Sequence, residues 1–233
     1  MNNFTYALAA FILLHVGVSA TGLRALIVEK IGERTYRGVF SLVSIALLAW
    51  LTFAFGHMRS NPFDPLNQAL WAVPPWGRHA AQGLVLIGFL FAFAGILTPG
   101  PTSIPGEGRP LAEDTPAKGM LRITRHPFLW GVVIWAAGHL LANGERFAPM
   151  LFGGLGLMAL LGARSIDRKA AARDPEGWAR FASVTSNIPF AAIVTGRNSF
   201  VFSETWLRLM IALAVFLAFA LLHPYLIGVP AVP

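Results

Sequence analysis

The sequence predicts an all-α, polytopic membrane helix bundle of about six transmembrane helices with its N-terminus outside. Three observations carry that expectation. Of 233 residues, 55% are hydrophobic and 12% charged, whereas a soluble domain carries roughly 25% charged residues. Several apolar stretches meet or approach the roughly 20 residues that cross a bilayer core, and the clusters "NPFDP", "VPPWG" and "LTPGPTSIPGEGRP" punctuate them. The basic residues fall almost wholly into alternate loops.

The first span is expected at about 4–23. Its stretch "FTYALAAFILLHVGVSA" ends like a signal cleavage site, but Met1, Asn2 and Asn3 bring no positive side chain and the basic residues follow the apolar run. That order is the reverse of a secretory signal, so the segment reads as a retained helix. The second and third spans fall at about 37–57 and 79–98, the fourth and fifth at about 127–143 and 147–164, and the last at about 205–227. The tight turn "NGER" makes the fourth and fifth an antiparallel hairpin. The chain reads as a single domain, 1–233, with a cytoplasmic segment at about 165–204. There "DPEGWARFASV" offers Asp174 as an N-cap and Pro175 at the first helical position. Trp178, Phe181 and Val184 follow three apart, fitting a basic amphipathic helix on the membrane face; a solvated connector fits equally well.

Orientation follows from charge. Loops one, three and five hold Arg24, Lys30, Arg34, Arg37, Arg109, Lys118, Arg122, Arg125, Arg164, Arg168, Lys169, Arg173, Arg180, Arg197 and Arg208, against Arg59, Arg78 and Arg146 on the other side. Fifteen against three puts the odd loops in the cytoplasm and both termini outside. The same distribution explains the net charge of +7 without nucleic acid, for which no basic run with interleaved aromatics argues. The absence of cysteine excludes disulfides, thiolate ligands, iron–sulfur clusters and covalently attached c-type haem.

The strong metal ligands that remain are six histidines. His15 interrupts the first helix near mid-membrane, where an ionisable side chain faces protein and points to function. Ser19 and Gly22 share its helical face and allow close approach of a helix or a flat cofactor. A ligand and a structural hydrogen-bonding histidine account for His15 equally well. His139 lies in the outer half of the fourth helix, one turn after Trp135 and near Gly131 and Gly138. His57, His79 and His223 sit at span boundaries as interfacial histidines. His126 precedes Pro127 at the cytoplasmic helix entrance, with Arg122 and Arg125 beside it to anchor at headgroups. Thirteen residues along a helix is roughly 20 Å, so His126 and His139 cannot hold one metal. His15 and His139 can, from two helices at similar depth, and neutral imidazole is a usual haem ligand.

"LLHVGVSATGLR", "ITRHPFLWGVVIWAAGHLLANG" and "GARSIDRK" resemble the NnrU family over nearly the whole chain. That family is associated with nitrite and nitric oxide metabolism in denitrifying bacteria. It is related to the zeta-carotene isomerases of plants and cyanobacteria, membrane enzymes that use haem b to isomerise a cis double bond. The resemblance implies haem b held by His15 and His139, with Arg24 available to a propionate or a lipid headgroup. It implies redox, nitric oxide or isomerase chemistry on a lipophilic small molecule in the bacterial inner membrane, among membrane lipid. The isomerases carry a histidine where this chain has Met158 and Ala159, a departure that bears on isomerase chemistry more than on haem. A non-catalytic subunit or maturation factor for a respiratory membrane protein is an alternative. A more distant resemblance, through Arg125-His126-Pro127 and Gly131, is to isoprenylcysteine and phospholipid methyltransferases. It implies an alternative cytoplasmic site for S-adenosylmethionine at Arg125 and His126. Their paired glutamates are missing; Asp167-Arg168 stands closest.

Overall fold

The computed structural model describes residues 2–18, 21–102 and 117–231, so Ser19 and Arg109, invoked above, lie outside the described residues. Among the described residues every regular element is a helix, apart from one isolated antiparallel bridge between Ala69 and Glu145. The all-α membrane bundle is therefore observed, with fewer full-length spans than expected.

Helix α1, Asn3–Leu13, starts at Asn2, whose side-chain oxygen accepts the Thr5 N–H at 3.1 Å. Phe4, Ala7, Leu8 and Phe11 recur at helical spacing and are buried in one cluster with Leu51, Ala54 and Met58 of α3 (Glu33–Ser60). Beyond Leu13 the backbone widens into a π-type turn, Leu14–Val18, which carries His15. The axis of Asn3–Val18 then diverges by 79° from that of α2, Leu23–Ile31. The expected first span, 4–23, is thus described as helical to Val18, and α2 falls in the expected first loop, where Arg24, Glu29 and Lys30 keep it out of a hydrocarbon core.

Among the described residues four helices are long and apolar enough to cross a bilayer: α3, α4 (Gly77–Ile96), the stretch Pro149–Arg173 and α10 (Trp206–Ile227). The fourth expected span is α6, Pro127–Ala142, whose 16 residues rise only roughly 24 Å. The stretch Pro149–Arg173 opens with a second π-type turn, Pro149–Gly153, and continues as α7, Gly154–Arg173. α6 and this stretch form the expected antiparallel hairpin. Its turn is held by Gly144, whose carbonyl accepts the N–H groups of Leu70 and Trp71 at 2.7 and 3.2 Å. Leu42 and Phe53 on α3 and Leu221 on α10 stay largely exposed, as lipid-facing side chains do.

The tightest contact in the bundle joins α4 to α6 through two pairs of glycines seven residues apart. A Cβ built on Gly88 would lie 2.8 Å from the Trp135 nitrogen and one on Gly138 2.9 Å from the Ala81 carbonyl oxygen. Gly95 would meet the Phe128 nitrogen at 2.8 Å, and Gly131 the Ala92 Cα at 2.7 Å. Backbone thus packs on backbone, the small-residue contact favoured between helices in lipid. α10 covers the other side of α4, where the Phe216 and Phe219 rings meet Phe89 at 5.7 and 5.6 Å.

The segment expected to be cytoplasmic begins as read: Asp174 accepts the Gly177 N–H at 2.9 Å and Pro175 opens α8, Pro175–Ser183. Its apolar face does not lie open to a bilayer. Phe181, with Trp178 and Val184, packs on Ala117 and on Leu121 of the short helix α5, Met120–Ile123. Amphipathicity specified a buried face, and the protein itself covers it.

Candidate functional site

Two imidazoles on separate helices share one local geometry. His15 turns back along its helix so that Nδ1 lies 2.8 Å from the Phe11 carbonyl oxygen. His139 on α6 does the same, with Nδ1 3.0 Å from the Trp135 carbonyl oxygen. A carbonyl can only accept, so each Nδ1 carries the proton and donates it. Each Nε2 is then a bare lone pair, and among the described residues neither has a hydrogen-bond partner. Metal-binding histidines are oriented in this way, the far ring nitrogen fixed by a carbonyl while the near one faces the metal.

Aromatic rings hold both side chains. Phe11 lies 4.3 Å from the His15 ring and Phe40 of α3 stands edge-on at 5.4 Å. His139 is flanked by Trp135 at 4.4 Å and Phe152 at 4.7 Å. His15 and Phe152 both belong to π-type turns, distortions that occur frequently at functional sites. Added Cβ atoms on Gly17 and Gly153, in those same turns, would meet no heavy atom within 4 Å, so open space adjoins each.

The start of α7 lies between the two helices. Gly154 faces Ile12, a turn before His15, and Gly156 faces Ala136, a turn before His139. Among the described residues no three His, Cys, Asp or Glu side chains converge as metal ligands.

A family model described as "NnrU protein" matches residues 3–231. The chain belongs to the NnrU family. It is 30% identical over 193 residues to the chloroplastic 15-cis-zeta-carotene isomerase of Arabidopsis thaliana, covering 81% of this chain and 49% of that one. To the chloroplastic enzyme of the same name from Zea mays it is 30% identical over 198 residues, again 81% of this chain and 49% of the relative. The chain thus spans about half the length of these curated relatives. No solved structure matches it.

In this NnrU protein the Arg125–His126 pair is not a headgroup anchor. His126 is 1% exposed, and its Nε2 lies 2.6 Å from Asp167 Oδ1 on α7. Arg125 Nη2 donates to Asp167 Oδ2 at 3.0 Å, and its guanidinium stacks on Trp178 at 5.2 Å. The Arg125 N–H donates to the Ser186 carbonyl, and the Thr124 hydroxyl to that of Asn187. These contacts clamp the entrance of α6 to α7 and to the segment after α8. Arg125 stays 13% exposed, and Arg125 Nε and His126 Nδ1 are buried without a hydrogen-bond partner among the described residues. Arg122 is also withdrawn from headgroups: its Nε and Nη2 bind the Glu204 carboxylate at 2.8 and 2.9 Å, and Nη1 donates to Asn198. That hydrogen-bonded guanidinium, helped by the Gly119 N–H, holds the Glu204 carboxyl down at about 2 and raises Arg122 in turn.

Arg24 engages Glu33 Oε1 at 2.7 Å and stacks on Tyr36, so its first partner is a carboxylate of its own chain. His57 and His79 are exposed near helix ends, as expected. Met158 packs against the central apolar cluster, and Ala159 beside it is buried. Sequence reasoning did not single out Phe11, Phe40 or Phe152. Their spacing from the histidines was legible only for Phe11, one turn before His15.

Proposed function

We propose that this protein binds haem b in the bacterial inner membrane through His15 and His139 and acts as a cis–trans isomerase on a lipophilic polyene. The observation that carries the reading is the matched pair of imidazoles, each with Nδ1–H bound to its own helix and Nε2 unengaged. The relatedness to 15-cis-zeta-carotene isomerases supplies the reaction class. Haem held by His15 and His139 would supply a redox-active iron, available to a double bond only when one of the two histidines is displaced.

The chain's own residues do the rest. The Phe11 and Trp135 carbonyls fix the tautomer of each ligand. Phe11, Phe40, Trp135 and Phe152 fix the orientation of the two rings. The uncovered backbone at Gly17 and Gly153 leaves room for an apolar ligand beside each π-type turn. Met158 leaves the site with two histidines rather than three.

The test is incubation of the purified, haem-loaded protein in detergent with a 15-cis polyene, followed by chromatographic separation of isomers. The reading expects trans product from wild-type protein and loss of product in His15→Ala and in His139→Ala. A haem-loaded protein that leaves the cis polyene unchanged, oxidised and reduced, while its reduced form binds nitric oxide, would replace isomerisation with a gas-handling role.

A further inference from the structure

The segment that joins α8 to α10 turns its polar groups inward and its apolar side chains outward. Between Ser186 and Trp206 it holds two charged side chains, Arg197 and Glu204. Glu204 is bound by Arg122 and by the Gly119 N–H. Arg197 turns back onto the chain, where its Nη1 donates to the Thr185 and Ser183 carbonyls at 2.9 and 3.1 Å. Asn187 accepts from the Trp130 indole, Asn198 donates to the Val184 carbonyl, and the Thr195 hydroxyl donates to the Ala191 carbonyl. Ile188, Phe190, Val194, Phe200 and Phe202 face the other way and are 46% to 84% exposed. α8, just before this segment, has the opposite pattern: Glu176 and Arg180 are exposed and its apolar face is covered.

We infer that this face, residues 188–202, is an interfacial membrane-binding surface, seated on lipid at the headgroup–acyl boundary where the chain enters α10. Continuity is the first reason. α10 is apolar enough to span and opens at the half-exposed Trp206, the kind of side chain that sits at a membrane–water boundary. Phe200 and Phe202 directly precede it, and the exposed Leu207 and Met210 carry the same apolar surface onto the span. Depth is the second. The Phe190 ring stands edge-on to Phe91 at 6.3 Å. Phe91 lies five residues before the end of α4, which is about 7.5 Å inside a helix long enough to span. Interfacial segments bury their apolar faces to a depth of roughly 5–10 Å. The short helix α9, Ala191–Val194, sits at the same place: Ile193 packs on the cluster that holds Phe91 and Ala212, while Val194 faces away. Carbonyls left unpaired near hydrocarbon are costly, and Arg197 and Asn198 occupy those of Ser183, Val184 and Thr185.

The chain has no cysteine, so single cysteines carrying a nitroxide spin label can report each position. The full-length protein is placed in vesicles of phosphatidylethanolamine and phosphatidylglycerol. Collision of each label with oxygen, which concentrates in the bilayer, is compared with collision with a water-soluble nickel chelate. Labels at Ile188→Cys, Val194→Cys and Phe202→Cys should meet oxygen more than nickel, and Ala179→Cys, on the exposed side of α8, should show the reverse. All four positions are exposed, so a label displaces no packed side chain; should Phe202→Cys fold poorly, the other two decide. Nickel collisions at Ile188 and Val194 as frequent as at Ala179 would place the face in water and overturn the proposal. Labels shielded from both reagents would place protein over the face and overturn it equally.

Discussion

Replacing Gly131 with alanine tests the packing that positions α6. The new Cβ would lie 2.7 Å from both Cα and Cβ of Ala92, atoms fixed on α4 that cannot swing aside. Ordinary contact distances of about 3.7 Å then require the two helices to separate by about 1 Å. Overpacking of this kind costs about 1–3 kcal/mol, while alanine regains at most about 1 kcal/mol of helix propensity. The steric term wins because the obstacle is backbone, so the net effect is destabilisation of about 1–2 kcal/mol. Gly83 on α4 is the internal control, since a Cβ there meets nothing within 4 Å. Gly83→Ala should be neutral or stabilising by up to about 1 kcal/mol. Unfolding of the purified protein by graded sodium dodecyl sulfate, followed by circular dichroism, compares the three chains directly. If Gly131→Ala is as stable as Gly83→Ala, the α4–α6 contact is not backbone-limited and the reasoning fails.

Other expected outcomes follow from the ion pairs around α5, α7 and the start of α6. Asp167→Ala leaves Arg125 and the buried His126 without their shared carboxylate and should destabilise by about 2–4 kcal/mol, whereas Asp174→Ala, which removes only the cap of α8, should cost about 1 kcal/mol. Detergent unfolding ranks the two, and equal losses would contradict the clamp assigned to Asp167. Glu204 is held at about 2, below its ordinary 4.5, chiefly by Arg122. A depressed carboxyl stabilises fully above the unfolded value and loses that contribution as pH falls through the folded one. The stability difference between wild-type protein and Glu204→Gln should therefore shrink as pH drops from about 5 towards 2. A difference that stays constant over that window would show that the ion pair does not contribute. Solvent exposure and salt screening keep the effect modest, so it should also diminish at high ionic strength.

Much of this arrangement was legible in the sequence for a specific reason: apolar length and punctuation are local. The hairpin at Asn143–Arg146 and the start of α8 at Asp174-Pro175 could be read because turn and cap residues act within a few positions. The π-type turn at Leu14–Val18 could not, because Leu14, Val16 and Val18 are as apolar as the helix before them and a change of backbone hydrogen bonding leaves no mark on that pattern. The glycines of α4 and α6 were visible singly, yet the match of Gly88 and Gly95 to α6 is a relation between helices. For the same reason Asp167 was noted beside Arg168 as a weak acidic motif, while its role as shared partner of Arg125 and His126 came only with the packing of α6 on α7. Basic residues near a bilayer read as headgroup anchors; Arg24, Arg122 and Arg125 instead meet Glu33, Glu204 and Asp167.

The central claim rests on two histidines, and the absorption spectrum of the purified protein, oxidised and then reduced, tests it most directly. Wild-type protein, loaded with haem, should show a b-type spectrum that is lost or shifted in both His15→Ala and His139→Ala and kept in His57→Ala. A wild-type protein that takes up no haem even after reconstitution, or a spectrum unchanged in both histidine variants, would contradict the account.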